Sequence, residues 1–581
     1  MTARVLKSKT AMSITIERLN TQRVVDPRTD LNSYERRTYQ IFDGPSDVGY
    51  QRVLPDGAPS ASSMTFSCNP PSSRVFVNRR VMVTMTFELT FTGTTAYQNL
   101  LQMAGCNAPP GADGANNFDG PRAFPIANAT QSIQVSLNND RLSQNTNRFY
   151  RGTTRYSNHQ VQAEIDYGMT PTMLDNAQDL GFLSTLGISP LNPYGVEANQ
   201  TTRSGFAGVE IVTNTDTQAV VRLTVTEPLW LAPFLFARGA QDTGLIGIQT
   251  MSVTLALGGR GNGVFGGLAG ALWSHVGGAT NASDITNVAV SVANAEMLFS
   301  YLTPDTLQII PEINNYPYSE PVVYTQSFTV PAATGDAQRL EFNNIQLNSI
   351  PSRVIIFVSE RDQDFDYTKT DTFWGIENVN LSFDNRDAIL SNASSRDLFN
   401  IAAKNNTNLT WTQWSRHAGS VLALDFGDDI PLRSNQAVGL RGSYNFRMSV
   451  QARNLAGVAQ YPQLTVLVIS TGVMTVAQQN VVRSVGILSN EDVLNSKTQP
   501  ALPYRATGDL YGGGWWDDFK SGFMSVIRPV ANIASKLVPF VAPELAPVTQ
   551  AINSAVGNGI IGGRMIGGRR VSRAALARAL H

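Results

Sequence analysis

Alternation dominates the middle of the chain. Across residues 81–92 one register holds Val81, Val83, Met85, Phe87, Leu89 and Phe91; the other holds Met82, Thr84, Thr86, Glu88, Thr90 and Thr92. Successive side chains of a strand point to opposite faces, so this stretch predicts a long strand with one buried face. The same period recurs at 133–137, 221–225 and 251–257, then at 288–292 and 297–301. After Pro304 a second series predicts strands at 322–330, 338–342, 353–360, 376–384, 409–412, 420–426, 442–450 and 463–471, with one helix at 395–403. Eight short antiparallel strands in one compact stretch is the strand number of a jelly roll. The first series has room for the same set plus long insertions at 104–125 and 141–215, and loops of that length are uncommon unless they serve a function. The expected fold class is all-β: two tandem eight-stranded antiparallel jelly-roll β-sandwiches, over 63–303 and 304–485, with an N-terminal arm and a helical C-terminal tail.

The flanks break this pattern. Residues 1–62 are polar and rich in turn formers, and read as an extended arm with one short strand at 13–18; disorder is the alternative. Residues 486–513 read as a polar linker. In 514–563 Trp516, Phe519, Phe523, Ile527, Val530, Ile533 and Leu537 fall at spacings of three and four, which predicts an amphipathic helix. Asp517 and Asp518 suit its first turn, whereas Pro529 predicts a kink and Pro539, Pro543 and Pro547 an end. Residues 564–581 form a basic tail.

Composition narrows the function classes. Charged residues make up 15% of the chain, against about 25% in typical soluble proteins. A charge-poor surface rich in Asn, Thr, Ser and Gln suits contact with other subunits, where each buried charge would cost desolvation. The net charge of −1 excludes a chain-wide nucleic-acid binder. Cys68 and Cys106 are too few for a disulfide framework and are expected as free buried thiols in a reducing compartment. The first 17 residues hold no apolar run of signal-peptide type, and no stretch approaches the ~20 apolar residues of a membrane span.

Candidate chemistry is sparse. His159, His275, His417 and His581 stand at no metal-ligand spacing. No phosphate-binding loop or nucleophile elbow occurs, and the glycine-rich run 258–267 reads as a mobile loop between strands. The acidic clusters at 360–366 and 425–429 lack EF-hand spacing and read as solvated loop faces. With no nucleophile and base paired, no catalytic residue, cofactor or metal site is expected, and the chain is not expected to be an enzyme.

Several stretches of the second half carry a resemblance. They are Tyr316-Pro317-Tyr318, the run Asn343-Asn344-Ile345-Gln346-Leu347-Asn348-Ser349-Ile350-Pro351 with the strand after it, Asn408-Leu409-Thr410-Trp411-Thr412-Gln413-Trp414, and Gly486-Ile487-Leu488-Ser489. In this order they resemble the double jelly-roll major capsid proteins of polinton-like viruses and adintoviruses, in the lineage of adenovirus hexon. The resemblance implies a homotrimer whose six jelly rolls make a pseudo-hexagonal capsomer in the icosahedral shell of a double-stranded DNA virus. It implies neighbouring capsomers, penton and minor capsid proteins as partners, the virion as location, assembly in host nucleus or cytoplasm, and outward loops at 104–125 and 141–215. The alternative is a β-sandwich attachment or spike protein, which a secretion signal or fibre repeat would mark.

In the tail, Leu510-Tyr511-Gly512-Gly513, Ile560-Ile561-Gly562-Gly563 and Met565-Ile566-Gly567-Gly568 match the pattern that adenovirus-type maturation proteases cut after. Two glycines let an extended backbone enter a narrow groove while an apolar side chain fills a pocket. The Gly-Gly pairs at 258–259, 266–267 and 277–278 carry Ala256, Val264 and His275 at the pocket position and do not match. Flexible linker glycine is the alternative. Cleavage after Gly513 and Gly563 would free 514–563, whose face of Trp515, Trp516, Phe519, Phe523 and Ile527 suits a membrane interface, or else packs as a staple inside the shell. Cleavage after Gly568 would divide the basic tail. That tail carries Arg564, Arg569, Arg570, Arg573 and Arg578 with no acid, which suits non-specific contact with packaged DNA or, alternatively, a protease-activating role.

Overall fold

A computed structural model of the chain describes residues 47–498 apart from several internal stretches, chiefly 102–117, 147–168, 172–207, 232–243, 277–284 and 305–312. In chain order the first unit contributes β1 (Asp47–Val53), β2 (Ser63–Ser67), β3 (Phe76–Val77), β4 (Met82–Gly93) and β5 (Phe118–Pro121). Then come α1 (Pro125–Ala129), β6 (Thr130–Leu137), β7 (Asp140–Asn145), β8 (Val209–Asn214), β9 (Gln218–Pro228) and β10 (Met251–Leu257). It closes with α2 (Gly267–Leu272), β11 (Trp273–Val276) and β12 (Ile285–Thr303). The second unit contributes β13 (Ile313–Ser327), β14 (Ala337–Ser349), β15 (Arg353–Glu360), β16 (Gly375–Phe383), β17 (Arg386–Ile389) and α3 (Ser395–Lys404). After these follow β18 (Val421–Asp425), β19 (Arg441–Arg453), β20 (Pro462–Ala477), β21 (Asn480–Val485) and α4 (Asn490–Thr498).

Each unit is a sandwich of two antiparallel sheets. In the first, β1-β12-β4-β9 faces β2-β10-β6-β7; in the second, β13-β20-β15-β18 faces β14-β19-β16-β17. Numbered within its own unit, each set reads 1-8-3-6 against 2-7-4-5, which is the jelly-roll order. The alternation of β4 does what its sequence predicts: Val83, Met85, Phe87, Leu89 and Phe91 are buried while the threonines of the other register stay half-exposed. Strand direction alternates through each unit. The connections leaving β1, β4, β7 and β10 therefore emerge at one end, here the head end. The chain enters at Asp47, and the tight turns of both units lie, at the opposite or tail end.

Four sequence expectations shift. The segments at 288–292 and 297–301 are one strand, β12. Its alternation changes phase because bulges between Ile285 and Asn287 and between Val292 and Asn294 each insert a residue. Residues 47–53, within the stretch read as arm, pair with β12 as an edge strand. Residues 490–498, within the stretch read as linker, form α4. Residues 409–412 are not a strand. Thr412 is helical and leads into a π-helical turn at Gln413–His417, with Trp414 N–H bonded to the Thr410 carbonyl. The apolar Trp411 and Trp414 serve an aromatic cluster with Phe399 of α3, and Trp414 Nε1 donates to the Val421 carbonyl. The fifth jelly-roll strand is instead β17, a polar four-residue strand after a tight turn in which Asp384 and Asn385 take positive φ. The helix expected at 395–403 is α3, held by a reciprocal Ser394–Asp397 capping box.

Candidate assembly site: the junction between the jelly rolls

The second unit's first sheet is apolar on both faces. All eight positions of β15 are buried, as are the first nine of β20. One face belongs to the unit's own core, and the other meets the first unit. Ile355, Phe357, Val421, Ala423, Leu467 and Ile469 pack there against Ala123, Phe124 and Ala127. Each large side chain so buried is worth about 1.5–3 kcal/mol. Residues 118–127, part of them expected as an outward loop, are thus folded into this junction, and Phe124 holds a left-handed backbone (φ 51) to enter α1.

Charge completes the head-end contact. Arg122 is fully buried; its Nε donates to the Trp273 carbonyl (3.0 Å) and Nη2 to the carbonyls of Asp366 (3.1 Å) and Lys369 (2.6 Å). Arg122 Nη1 and Arg260 Nη1 lie 3.4 and 3.6 Å from the two carboxylate oxygens of Asp371, and Arg260 Nε lies 3.5 Å from Asp362. Both guanidinium groups stand over the Phe365 ring, at 4.6 and 3.2 Å from its centroid. A side chain at Gly261 would strike the Phe365 carbonyl, at 1.6 Å from the added carbon, so glycine there permits the close approach. Two sequence expectations are corrected here. The run 258–267 is anchored at both ends, with Arg260 N–H bonded to the Gly267 carbonyl and its side chain buried. The acidic clusters are partly exposed but paired: Glu360 is buried, Asp364 pairs with Arg361, Asp425 with Arg353, and Lys404 with Asp429 and with Asp428, which stays exposed.

Two carboxyls near the junction are tuned by burial. Glu227 accepts N–H bonds from Ile126 and Ala127 (both 2.9 Å) and the Thr170 hydroxyl (3.1 Å), fastening α1 to β9. Desolvation pushes its pKa up to about 7 against the lowering pull of those bonds. Desolvation raises Glu360 to about 7 as well, opposed by the charges of Lys369 and Arg260.

The tail-end contact is separate. There β13 and β20 run past their own sandwich. Tyr316, Tyr318, Met474 and Val476 join the first unit's apolar cluster. The Tyr316 hydroxyl accepts from Ile246 N–H (2.9 Å), and Arg79 stacks over its ring at 5.2 Å. Arg483 pairs with Asp140, and Asn139 accepts from Val481 N–H (2.8 Å), both on the turn between β6 and β7. Two contacts at opposite ends hold the sandwiches side by side with the same polarity. The first unit's own outer sheet face is open by comparison. It carries a threonine ladder, with hydroxyl pairs Thr84–Thr226 (2.9 Å) and Thr86–Thr224 (3.1 Å).

The sequence-predicted site residues all lie outside the described residues: Gly513, Gly563 and Gly568, the aromatic face from Trp515 to Ile527, and the five tail arginines. Among the described residues no group of three or more His, Cys, Asp or Glu is placed to hold a metal ion. Arg122, Arg260, Glu227 and Asp371 escaped sequence reasoning. For Arg122, Arg260 and Glu227 the one signal is isolation, as single charges in apolar or glycine-rich surroundings, whereas Asp371 ends a charged stretch and gives no signal of its own.

Comparison with known proteins agrees with this geometry. Residues 20–302 match the Sputnik virophage major capsid protein first domain, and residues 321–418 and 415–472 match the major capsid protein V20 C-terminal domain. The chain is 27% identical over 562 residues to the V20 capsid protein of Sputnik virophage, covering 90% of this chain and 88% of that protein. A chain of the Sputnik virophage cryo-EM structure superposes with a TM-score of 0.69 and 26% identity, covering 84% of this chain and 97% of its own. The mavirus major capsid protein superposes with a TM-score of 0.62 at 14% identity, covering 83% and 99%, and so shares the fold.

Proposed function

The chain belongs to the Sputnik virophage major capsid protein family, and from that premise we propose that it trimerises into pseudo-hexagonal capsomers. The family is one of structural capsid proteins and not of enzymes; the chain's place is the virion capsid, and the attachment-protein alternative falls away. The observation that carries the trimer is the junction. Two sandwiches of one topology stand side by side with one polarity, so a single chain is already a third of a six-membered ring. A heterologous contact of this kind, repeated between copies, closes when the rotation fits. Electron microscopy of the purified full chain tests this: hexagonal particles holding three copies are expected, and a chain that stays monomeric refutes it.

The tail extends the proposal. A viral maturation protease cuts after Gly513, Gly563 and Gly568. It frees 514–563, whose Trp515, Trp516, Phe519, Phe523 and Ile527 enter a membrane interface. The arginines of 564–581 meet packaged double-stranded DNA without sequence preference. The order of the three matching sites, against three non-matching pairs inside the sandwiches, supports this reading. Mass spectrometry of mature particles decides it, since a shell protein that still ends at His581 rules cleavage out.

A further inference from the structure

Two buried carboxyl groups flank the contact that α1 makes with the second unit. Glu227 takes the N–H groups of Ile126 and Ala127 and the Thr170 hydroxyl on its two oxygens. Among the described residues no charged side chain acts on it. α1, the adjoining α2, residues 169–171 and the stretch of β4 beside it, around Val83, supply none. At Glu360, the last residue of β15, Oε1 accepts from Tyr461 N–H (3.4 Å), and Oε2 has no hydrogen-bond partner among the described residues. Lys369 and Arg260 favour its anion and Asp364 opposes it, while Asp364 is itself held by Arg361. β20, which pairs with Glu360 at Pro462, adds no charge.

A buried anion with too few donors gains free energy from water. Water reaches Glu227 when α1 lifts. Phe124 and Ala127 share one apolar cluster with the second unit's sheet, so lifting α1 unseats the junction there. Water reaches Glu360 when the segment after β15 parts from Arg260, which Asp362 and Asp371 hold. Both routes to hydration run through the same contact. The tail-end contact is built otherwise: its carboxylates, Asp140 and Glu320, both face Arg483, and Asn139 meets Val481 N–H through a side chain that does not titrate.

We propose that the α1 contact is a pH-operated joint, shut in acid and opening as pH rises through neutrality, with the tail-end contact staying shut as its hinge. The device lies in a single chain and does not depend on how copies assemble. Its size follows from linkage. With α1 lifted, Glu227 returns from about 7 to an ordinary 4.5. Through Glu227 alone the opening equilibrium then rises roughly thirtyfold between pH 5.5 and pH 8.5, and Glu360 multiplies it in the same direction.

The test is amide hydrogen exchange of the full chain, read by mass spectrometry as protection relative to an unstructured peptide at each pH. From pH 5.5 to pH 8.5 protection of 123–129 is expected to fall by roughly thirtyfold or more. Residues 480–485, fastened by Val481 N–H to Asn139, should keep theirs. Glu227→Gln should leave the smaller fall due to Glu360. Glu227→Gln combined with Glu360→Gln should hold protection level across the range. Each protein is compared with itself across pH, so a constant loss of stability does not imitate the effect. Flat protection at 123–129 in the wild type overturns the proposal. An equal fall at 480–485 does so too, because the chain then opens as a whole. A double variant that keeps the wild-type slope also overturns it. If the double variant does not fold, Glu227→Gln alone decides, and an unchanged slope at 123–129 is the refuting result.

Discussion

Replacing Glu227 by Gln should abolish a pH dependence written into the junction. Glu227 is wholly buried, and its pKa rises from an ordinary 4.5 to about 7. At 1.36 kcal/mol per pKa unit the rise corresponds to about 3 kcal/mol. Its sign follows from proton counting. A carboxyl whose folded pKa is raised binds its proton more tightly in the folded state, so its contribution is complete below pH 4.5. That contribution is lost as pH climbs from 4.5 to about 7 and is flat beyond. Gln copies the neutral acid in size, keeps one carbonyl acceptor for Ile126 and cannot ionise. The Gln nitrogen cannot accept from Ala127 N–H, which sets a constant offset, so urea melts of wild type and E227Q at pH 5, 6, 7 and 8 are compared by slope. Relative to the wild type, E227Q should gain about 3 kcal/mol between pH 5 and pH 8. In thermal scans the same difference is roughly 6–12 °C for a unit of this size. Glu360 carries the same sign and sets a common slope in both proteins, so only the difference between them reports Glu227. Curves running parallel from pH 5 to pH 8 would refute the reasoning.

Two further predictions test the second unit. Arg353 makes a two-pronged bond to Asp425 with its side chain 6% exposed, so Arg353→Ala leaves a part-buried carboxylate unpaired. It should cost about 3–5 kcal/mol in denaturant melts, whereas replacing both partners by apolar residues of similar size should cost much less; equal losses would show that packing, not charge, is at stake. Ser394→Ala removes the α3 cap and should cost about 1 kcal/mol, read as a lowered urea midpoint, with Ser394→Asp recovering most of it.

The sandwiches were legible because period-2 burial is a local property. β4, β10 and β15 stand in the sequence almost to the residue. What escaped is what local pattern does not encode. β17 is four residues with two charges, a strand only because Asp384 and Asn385 fold it back on β16. β1 reads as arm because six of its seven positions are exposed, leaving no buried face to alternate. The 409–412 stretch copies a strand's alternation, yet spends its aromatics on α3. The junction was the least visible feature, since a buried Arg122 and a solvated arginine look alike until Asp371, nearly 250 residues away, supplies the partner. The tail sites carry their signal in sequence order alone.

The alternation of strand direction has one last consequence. Asp47 and α4 belong to the tail end, while the connections between β4 and β6 and between β7 and β9 open at the head end. The molecule is thus sided before it meets any partner. Connections at one end can lengthen or diverge without altering where Asp47 and α4 lie, at the opposite end of the sandwiches. Change at the two ends can then proceed separately on one chain, joined only through the two sandwiches between them.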